Sequence, residues 1–568
     1  MIVTRTRSTP ALLPLLAAVG ALVILSFTAY CQSPDAAAGQ RQFKSDEVNR
    51  IIDRIVAGEK QYAVNLKKYS PRVETYLQFT SPDAELGSAV SNDAYFLGRL
   101  ALGGKQEEIS FTSGNKPNRR RSSLKAITMP FFPPHFFLDR FASSAMVDPD
   151  NFDESHYTFD PIGWEYLGDV RCFAIDVHPQ KDAGAGAFVG RIWVEDRDYA
   201  IVRLNGMRIN AARFKFYTHF DCWRENLRPG EWLPVYIYGE ESDVAGGVRY
   251  KSVTRLWGYD LSVPHQQEEW TRILVEAPAP VHDSSDASSD LSPVESKRRL
   301  EIEAERNVLV RLEKARLIAP PGPVDKVVET VLNNLVVSNH LDNLPPLHCR
   351  VMLTSPLETF TLRYTIVVSR GLLDVLPDEP SLAMMLAHEL AHVALGHRLD
   401  TKYAFNDRLL VPDEEILPKL DLAREKQEEA DADAKAVEFL KNSPYKDKLG
   451  SAGLFLRAGA DAAPGTPQLF GAHMGNRMAT SKGVIRMATL MGSAPELKGT
   501  QIDQIAALPL GSRVQVNAWD GSISFPNRKA VALVDPSEKM SFQITPLYPH
   551  LTRYEEVNSA TAVARPAQ

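Results

Sequence analysis

The sequence predicts a multidomain α+β chain. An N-terminal antiparallel β-rich domain precedes a mainly α domain with a small edge sheet, and a small β-rich C-terminal region follows. Three observations predict this. The chain has 568 residues, 44% of them hydrophobic, which is ordinary globular material and too long for one core. Strand-like runs fill residues 43–275, whereas helical spacing dominates 297–495. Between them APAPVHDSSDASSDLSP (277–293) has almost nothing to bury, so a disordered linker is expected over 276–296.

The N-terminal domain should open with a helix capped by Ser45, with Val48, Ile51, Ile52, Ile55 and Val56 on one face. Strands are expected within 190–206, 212–223 and 232–242. Val194 and Ile201 flank a charged turn, as in a hairpin. Phe214, Phe216, Thr218 and Phe220 alternate with Lys215, Tyr217 and His219, the pattern of a half-buried strand. Antiparallel strands after a helix resemble the LolA-like carriers, whose curved sheet encloses an apolar hollow. MPFFPPHFFLDRF (129–141) reads as core or as a lid on such a hollow, and function is not carried over from the resemblance. At the other end, residues 500–555 read as short strands (Leu508 to Val516, Ser522 to Pro526, Ala530 to Val534) between Asp-Gly and Pro turns.

The most informative segment is HELAHVALGH, residues 388–397. Asp378, Glu379 and Pro380 suit a helix start, Leu382, Met385, Leu386 and Leu390 give an apolar face, and Gly396 suits a stop. On that helix His388 and His392, four apart, share a face and can aim ring nitrogens at one ion. Glu389 lies beside them, placed to take a proton from a metal-bound water. Charged residues inside a mostly apolar helix need such a reason. A hydrolytic zinc needs a third protein ligand and an open position. The form with glycine three and histidine six residues after His392 does not fit, because Leu395 and Arg398 stand there. His397 comes one position early and reads as an outer contact or a structural residue.

A glutamate on a later helix is the other common solution, and LDLAREKQEEADADAKAVEFL (420–440) offers one. Its ExxAD places Glu429 and Asp433 on one face, Glu429 as ligand and Asp433 as acceptor from a ligand histidine's outer nitrogen. Glu425, Glu428 and Asp431 read as a solvated acidic stripe, with Glu428 the substitute ligand. One zinc per chain is expected.

The stretch TIVVSRGLLDVLPDEPSLAMMLAHELAHVALGH (365–397), followed by EADADA (429–434), resembles the HtpX and CAAX-prenyl-protease family, metallopeptidase family forty-eight, over roughly residues 300–490. The resemblance implies a gluzincin-type zinc peptidase with His388, His392 and Glu429 as ligands and Glu389 as general base. It implies further that the strand carrying Tyr364, Ile366 and Val368 is the edge to which an extended substrate pairs. His473 and Arg477, in GAHMGNRM, would be the histidine and arginine placed near the substrate oxyanion, although Met474 replaces the family's proline.

Location is read from the first 38 residues, a signal peptide or membrane anchor. Arg5 and Arg7 precede an apolar run from about Ala11 to Tyr30, and the positive flank places the body outside the cytoplasm. Cleavage near Ala36-Ala37-Ala38, an uncleaved anchor and lipidation at Cys31 all stay open, so contact with membrane or lipid would be through the N-terminus. The remaining cysteines, Cys172, Cys222 and Cys349, form no evident disulfide framework. A net charge of −7 argues against nucleic acid, and Arg119-Arg120-Arg121 reads as a solvated loop. There is no GxSxG or CxxC to suggest a competing nucleophile. The expected function is a zinc-dependent endopeptidase on the periplasmic side of a bacterial cell envelope, acting on unfolded or extended polypeptides in protein quality control. The alternatives are an envelope chaperone with a gated or inactive zinc site, and a lipid- or lipoprotein-binding protein.

Overall fold

A computed structural model describes residues 45–83, 87–100, 108–110, 144–148, 151–209, 216–243, 248–262, 293–398 and 417–554, excepting 182, 185, 421, 472, 480–485, 512 and 527–539. The N-terminal segment 1–38, the run 129–141, the arginines at 119–121 and the expected strand at 530–534 lie outside the described residues, as does most of the linker.

Helix α1 (Ser45–Leu66) buries Val48, Ile52 and Ile55 against the sheet that follows, with Ile51 and Val56 half-buried beside them. That sheet has ten antiparallel strands: β1 (Arg72–Asp83), β2 (Gly87–Leu100), β3 (Glu108–Ser110), β4 (Tyr157–Leu167), β5 (Val170–Pro179), β6 (Phe188–Glu195), β7 (Ile201–Arg208), β8 (Phe216–Arg228), β9 (Glu231–Asp243) and β10 (Val248–Trp257). Their order is β3-β2-β1-β10-β9-β8-β7-β6-β5-β4. From β4 to β10 the chain is a simple meander, which local turns can build. The charged turn after β6 is held by Glu195, whose carboxylate accepts the N–H groups of Arg197, Asp198 and Ala200. A buried ion pair, Glu59 with Arg224 at 2.8 Å, fixes α1 on the sheet.

The second body begins with helix α2 (Pro293–Lys314), so the helix starts inside the stretch expected as linker. Proline at the first helical position explains the start. Helix α3 (Pro323–Ser338) leads into strands β11 (His348–Met352), β12 (Glu358–Leu362) and β13 (Thr365–Ser369). Then come α4 (Arg370–Val375), α5 (Glu379–Leu395), α6 (Lys426–Lys441), α7 (Leu449–Ala462), α8 (Pro467–Phe470), β14 (Asn476–Arg477) and α9 (Ala488–Ser493). The small sheet runs β11-β13-β12-β14, with β11 and β13 parallel. Gly371, which opens the GLL of α4, has a steric cause: a Cβ there would lie 1.8 Å from the Ser355 carbonyl oxygen. Only glycine lets α4 sit on the loop that feeds β12.

The two bodies are joined through buried charge. Glu74 on β1 accepts from Ser355 Oγ at 2.8 Å, Arg370 Nη2 at 2.9 Å and Tyr95 Oη at 3.0 Å, and from the Ser355 N–H. Asp93 on β2 accepts the N–H groups of Gln468 and Leu469 in α8, both at 2.8 Å. The ten-stranded sheet therefore holds the segments that lead into β12 and β14.

The C-terminal region carries only a two-residue ladder, β15 (Gln515–Val516) with β16 (Ile523–Ser524), among the described residues. Its backbone also bonds to the two bodies. The Arg513 and Val514 N–H groups go to Asp374, Leu508 N–H to the Val375 carbonyl, and Ile544 N–H to Gln78. Arg553 pairs with Glu195 and Asp196. The region is a wedge bonded to both bodies. No helix among the described residues is long and apolar enough to cross a membrane.

Glu225 lines a cavity between β8–β10 and this wedge, and burial pushes its carboxyl from 4.5 up to about 7. The native state then holds a proton that the unfolded chain has released between those values, so this residue costs stability as pH rises through that window. Glu225→Gln is expected to raise the denaturant midpoint at pH 8 and leave it nearly unchanged at pH 4. An equal effect at both would show that the carboxyl is not buried.

Candidate metal centre

Helix α5 is built as its sequence requires. The Asp378 side chain accepts the Ser381 N–H at 3.0 Å, Pro380 occupies the first turn, and Gly396 ends the helix with φ 73°. From Pro380 to His392 every residue is buried, and His388, Glu389 and His392 are 0% exposed. Three ionisable groups with no access to bulk water need partners, and they have them.

His388 Nε2 and His392 Nε2 stand 3.1 Å apart. Glu429, from α6, places Oε2 3.4 Å from the first and Oε1 3.4 Å from the second. The donor atoms of this set lie within 4.8 Å of one another, and no other such group occurs among the described residues. A tetrahedral zinc with bonds near 2.05 Å would space its ligand atoms by about 3.3 Å. Glu429 Oε1 is also buried with no hydrogen-bond partner, as a carboxylate oxygen awaiting a cation would be. The donor set fits zinc in type, number and spacing.

The outer nitrogens are held as well. His388 Nδ1 lies 2.8 Å from Asp433 Oδ1, and Asp433 Oδ2 accepts the Met487 N–H at 2.9 Å. His392 Nδ1 lies 2.9 Å from His397 Nδ1. These contacts place both nitrogens facing the triad as metal-binding atoms. Burial alone would depress the His388 pKa, and Arg486 adds to that, but the bonds to Asp433 and Glu429 prevail and raise it. Burial likewise opposes ionisation of Glu429, yet the two histidines beside it and the charge of Arg486 hold it far below the usual carboxylate range. For Glu389 the charges of His388, His392 and Arg486, with a bond from Thr359, overcome burial and keep the carboxyl ionised.

Arg486 is the residue that sequence reasoning missed. Its Nε is 3.3 Å from Glu429 Oε2 and its Nη1 3.9 Å from Glu389 Oε1. The side chain is buried, and none of its three nitrogens has a hydrogen-bond partner. A signal was available: Arg486 is a lone charge in the apolar run Val484-Ile485-Arg486-Met487-Ala488. His473, one of the two residues expected in this role, is engaged elsewhere. His473 donates from Nε2 to the Gln468 carbonyl at 3.0 Å, and its ring packs on Tyr95 at 4.6 Å, facing the N-terminal sheet. Arg477 pairs its backbone with Glu358 in β14, and its side chain lies outside the described residues.

The expected edge strand is corrected too. Ile366 and Val368 lie in β13, which is interior, between β11 and β12, and Tyr364 sits in the turn before it. The continuous apolar run Ile366-Val367-Val368 is what a strand covered on both faces requires. The strand next to the metal site is β12. Its outer side pairs with β14 at Glu358 and Thr359, and farther along the Thr361 carbonyl accepts from Arg424 Nη2 at 3.1 Å. Thr359 and Thr361 reach inward to Glu389.

A histidine pair on one buried helix and a glutamate from a later helix, spaced for a tetrahedral ion beside a buried carboxylate, define a metallohydrolase site. Residues 324–411 match the model of Peptidase family M48. The match takes in α3 to α5 and the HExxH, and it stops short of Glu429. No curated protein sequence matches the chain. Among solved structures, a DUF1329 family protein from Desulfovibrio piger is similar at 13% identity over 38% of this chain and 98% of that one, with a TM-score of 0.17. Nothing further is drawn from that likeness.

Proposed function

We propose that the chain is a zinc-dependent endopeptidase that cleaves unfolded or misassembled cell-envelope proteins. The observation that carries the reading is the convergence of His388, His392 and Glu429 at tetrahedral spacing beside Glu389. The order of strand, GLL, acidic turn, HExxH helix and ExxAD supports a place near the HtpX and CAAX-prenyl-protease group. The positively flanked apolar run at the N-terminus supports the periplasmic side of the envelope, reached by secretion, anchoring or lipidation at Cys31.

His388, His392 and Glu429 would hold the zinc, which when bound would supply an acidified water and a Lewis acid for the scissile carbonyl. Glu389 takes the proton of the attacking water and delivers it to the leaving amine as the peptide bond breaks. Arg486, a buried cation between Glu389 and Glu429, offers N–H groups to the negative charge that develops on the carbonyl oxygen. Arg486→Lys keeps a charge and loses the fork. It is expected to lower kcat by about tenfold to a hundredfold at unchanged zinc content.

The direct test quantifies zinc in the purified chain from about residue 40 and in Glu429→Ala, with cleavage of an unfolded protein measured on both. One zinc per chain and cleavage in the first, and loss of both in the second, is the expected result. A chain that binds no zinc would end this reading.

A further inference from the structure

Glu389 has a partner arrangement that the general chemistry of the site does not require. Thr359 Oγ1 donates to Glu389 Oε1 at 2.5 Å, and Thr361 Oγ1 donates to Glu389 Oε2 at 2.7 Å. Both hydroxyls and the carboxylate are buried, the threonines at 1% exposure. The two threonines are i and i+2 on β12, so they present their side chains to the same face of the strand. Each carboxylate oxygen thus receives one donor from the same strand.

Hydrogen bonds from a hydroxyl to a carboxylate are short and strong, and two of them from one strand fix both the position of the carboxylate and the plane it lies in. Threonine suits this better than serine would on entropy grounds, because its branched Cβ restricts χ1. An ionised carboxylate has about four lone-pair sites, so one remains on each oxygen for a water proton. The grip therefore orients the base without occupying it. Phe360, between the two threonines, is buried in the core, which anchors the strand against sliding.

We propose that Thr359 and Thr361 are positioning residues for the base, and that they tie the orientation of Glu389 to the register of β12. This rests on the peptidase reading above. The ten-stranded sheet enters the same chain of contacts, because Glu74 fixes Ser355, three residues before β12 begins.

The test uses the full chain loaded with zinc and steady-state cleavage of an unfolded protein. Thr361→Val removes the hydroxyl at nearly constant volume and is expected to lower kcat at least tenfold, with KM within twofold and zinc content unchanged. Thr359→Val should do the same, and Thr361→Ser should recover most of the loss. A Thr361→Val protein with wild-type kcat overturns the proposal, and so does a serine variant as impaired as the valine one, since that would make the methyl group the active part. A second readout is independent of turnover: the melting temperature of the metal-free protein. Thr361→Val should lower it by several degrees in the wild-type background and have no such effect beside Glu389→Ala, where the acceptor is gone. Equal shifts in both backgrounds overturn the proposal. A wild-type chain that binds zinc without cleaving, but shows the coupling in melting temperature, removes the peptidase reading and leaves the Thr–Glu389 grip standing.

Discussion

Glu389→Gln is expected to lower kcat for an unfolded protein by about three to four orders of magnitude while zinc stays at one per chain. The carboxamide matches the carboxylate in size and still meets the Thr359 and Thr361 hydroxyls, so the pocket should close around it. The three residues that could hold the ion, His388, His392 and Glu429, are left unchanged by this substitution. What is lost is the buried carboxylate placed beside the triad to accept a proton from water. The magnitude follows from general-base catalysis, with the remaining rate supplied by the ion and by binding. Matched zinc analysis and single-turnover cleavage decide it. Cleavage within tenfold of wild type at equal zinc would show that the base is another residue.

The second large effect is on stability. Glu74→Ala is expected to cost roughly 3–5 kcal/mol, because it leaves a buried guanidinium without one of its two carboxylates and strips the Ser355 backbone of its acceptor. Arg370 keeps Asp374 at 3.0 Å, so the lower half of that range is the better expectation. Replacing both partners by apolar residues, Glu74→Leu with Arg370→Met, should cost less than the single change, since no unpaired charge remains. Urea unfolding of both variants checks this. A loss below about 1 kcal/mol for Glu74→Ala would mean that the two bodies do not depend on the pair. The same contacts imply that residues 297–495 expressed alone would leave Ser355, Arg370, Gln468 and Leu469 without their acceptors. That segment is expected to be less stable than the intact chain, and proteolysis would reveal it.

The parts of the site that were legible in the sequence are local ones. Asp378, Pro380 and Gly396 bound one helix by capping chemistry that acts within a turn, so α5 falls where its residues place it. The i, i+4 spacing of His388 and His392 makes a face whatever else the chain does. The ExxAD helix was readable for the same reason, and Asp433 meets His388 because Glu429 and Asp433 share that helix's face. The N-terminal strands were readable from alternation and turn residues, as the β6–β7 hairpin around Glu195 illustrates.

Other features depend on pairing between distant segments, which no local pattern records. Strand β13 reads as an edge by analogy and is interior because β12, from the preceding chain, turns back beside it. Arg486 lies 97 residues beyond Glu389 and reaches it where Asp433 of α6 holds the N–H of the next residue, Met487. His473 is drawn away by Tyr95, a residue of another sheet. The sequence by itself determined the helices, their caps and the chemistry they carry, because those are set by neighbours a turn away. The tertiary structure alone decided which strand borders the site, which arginine serves it and how the ten-stranded sheet grips it through Glu74 and Asp93. Those choices turn on burying charges that only long-range contacts can pair.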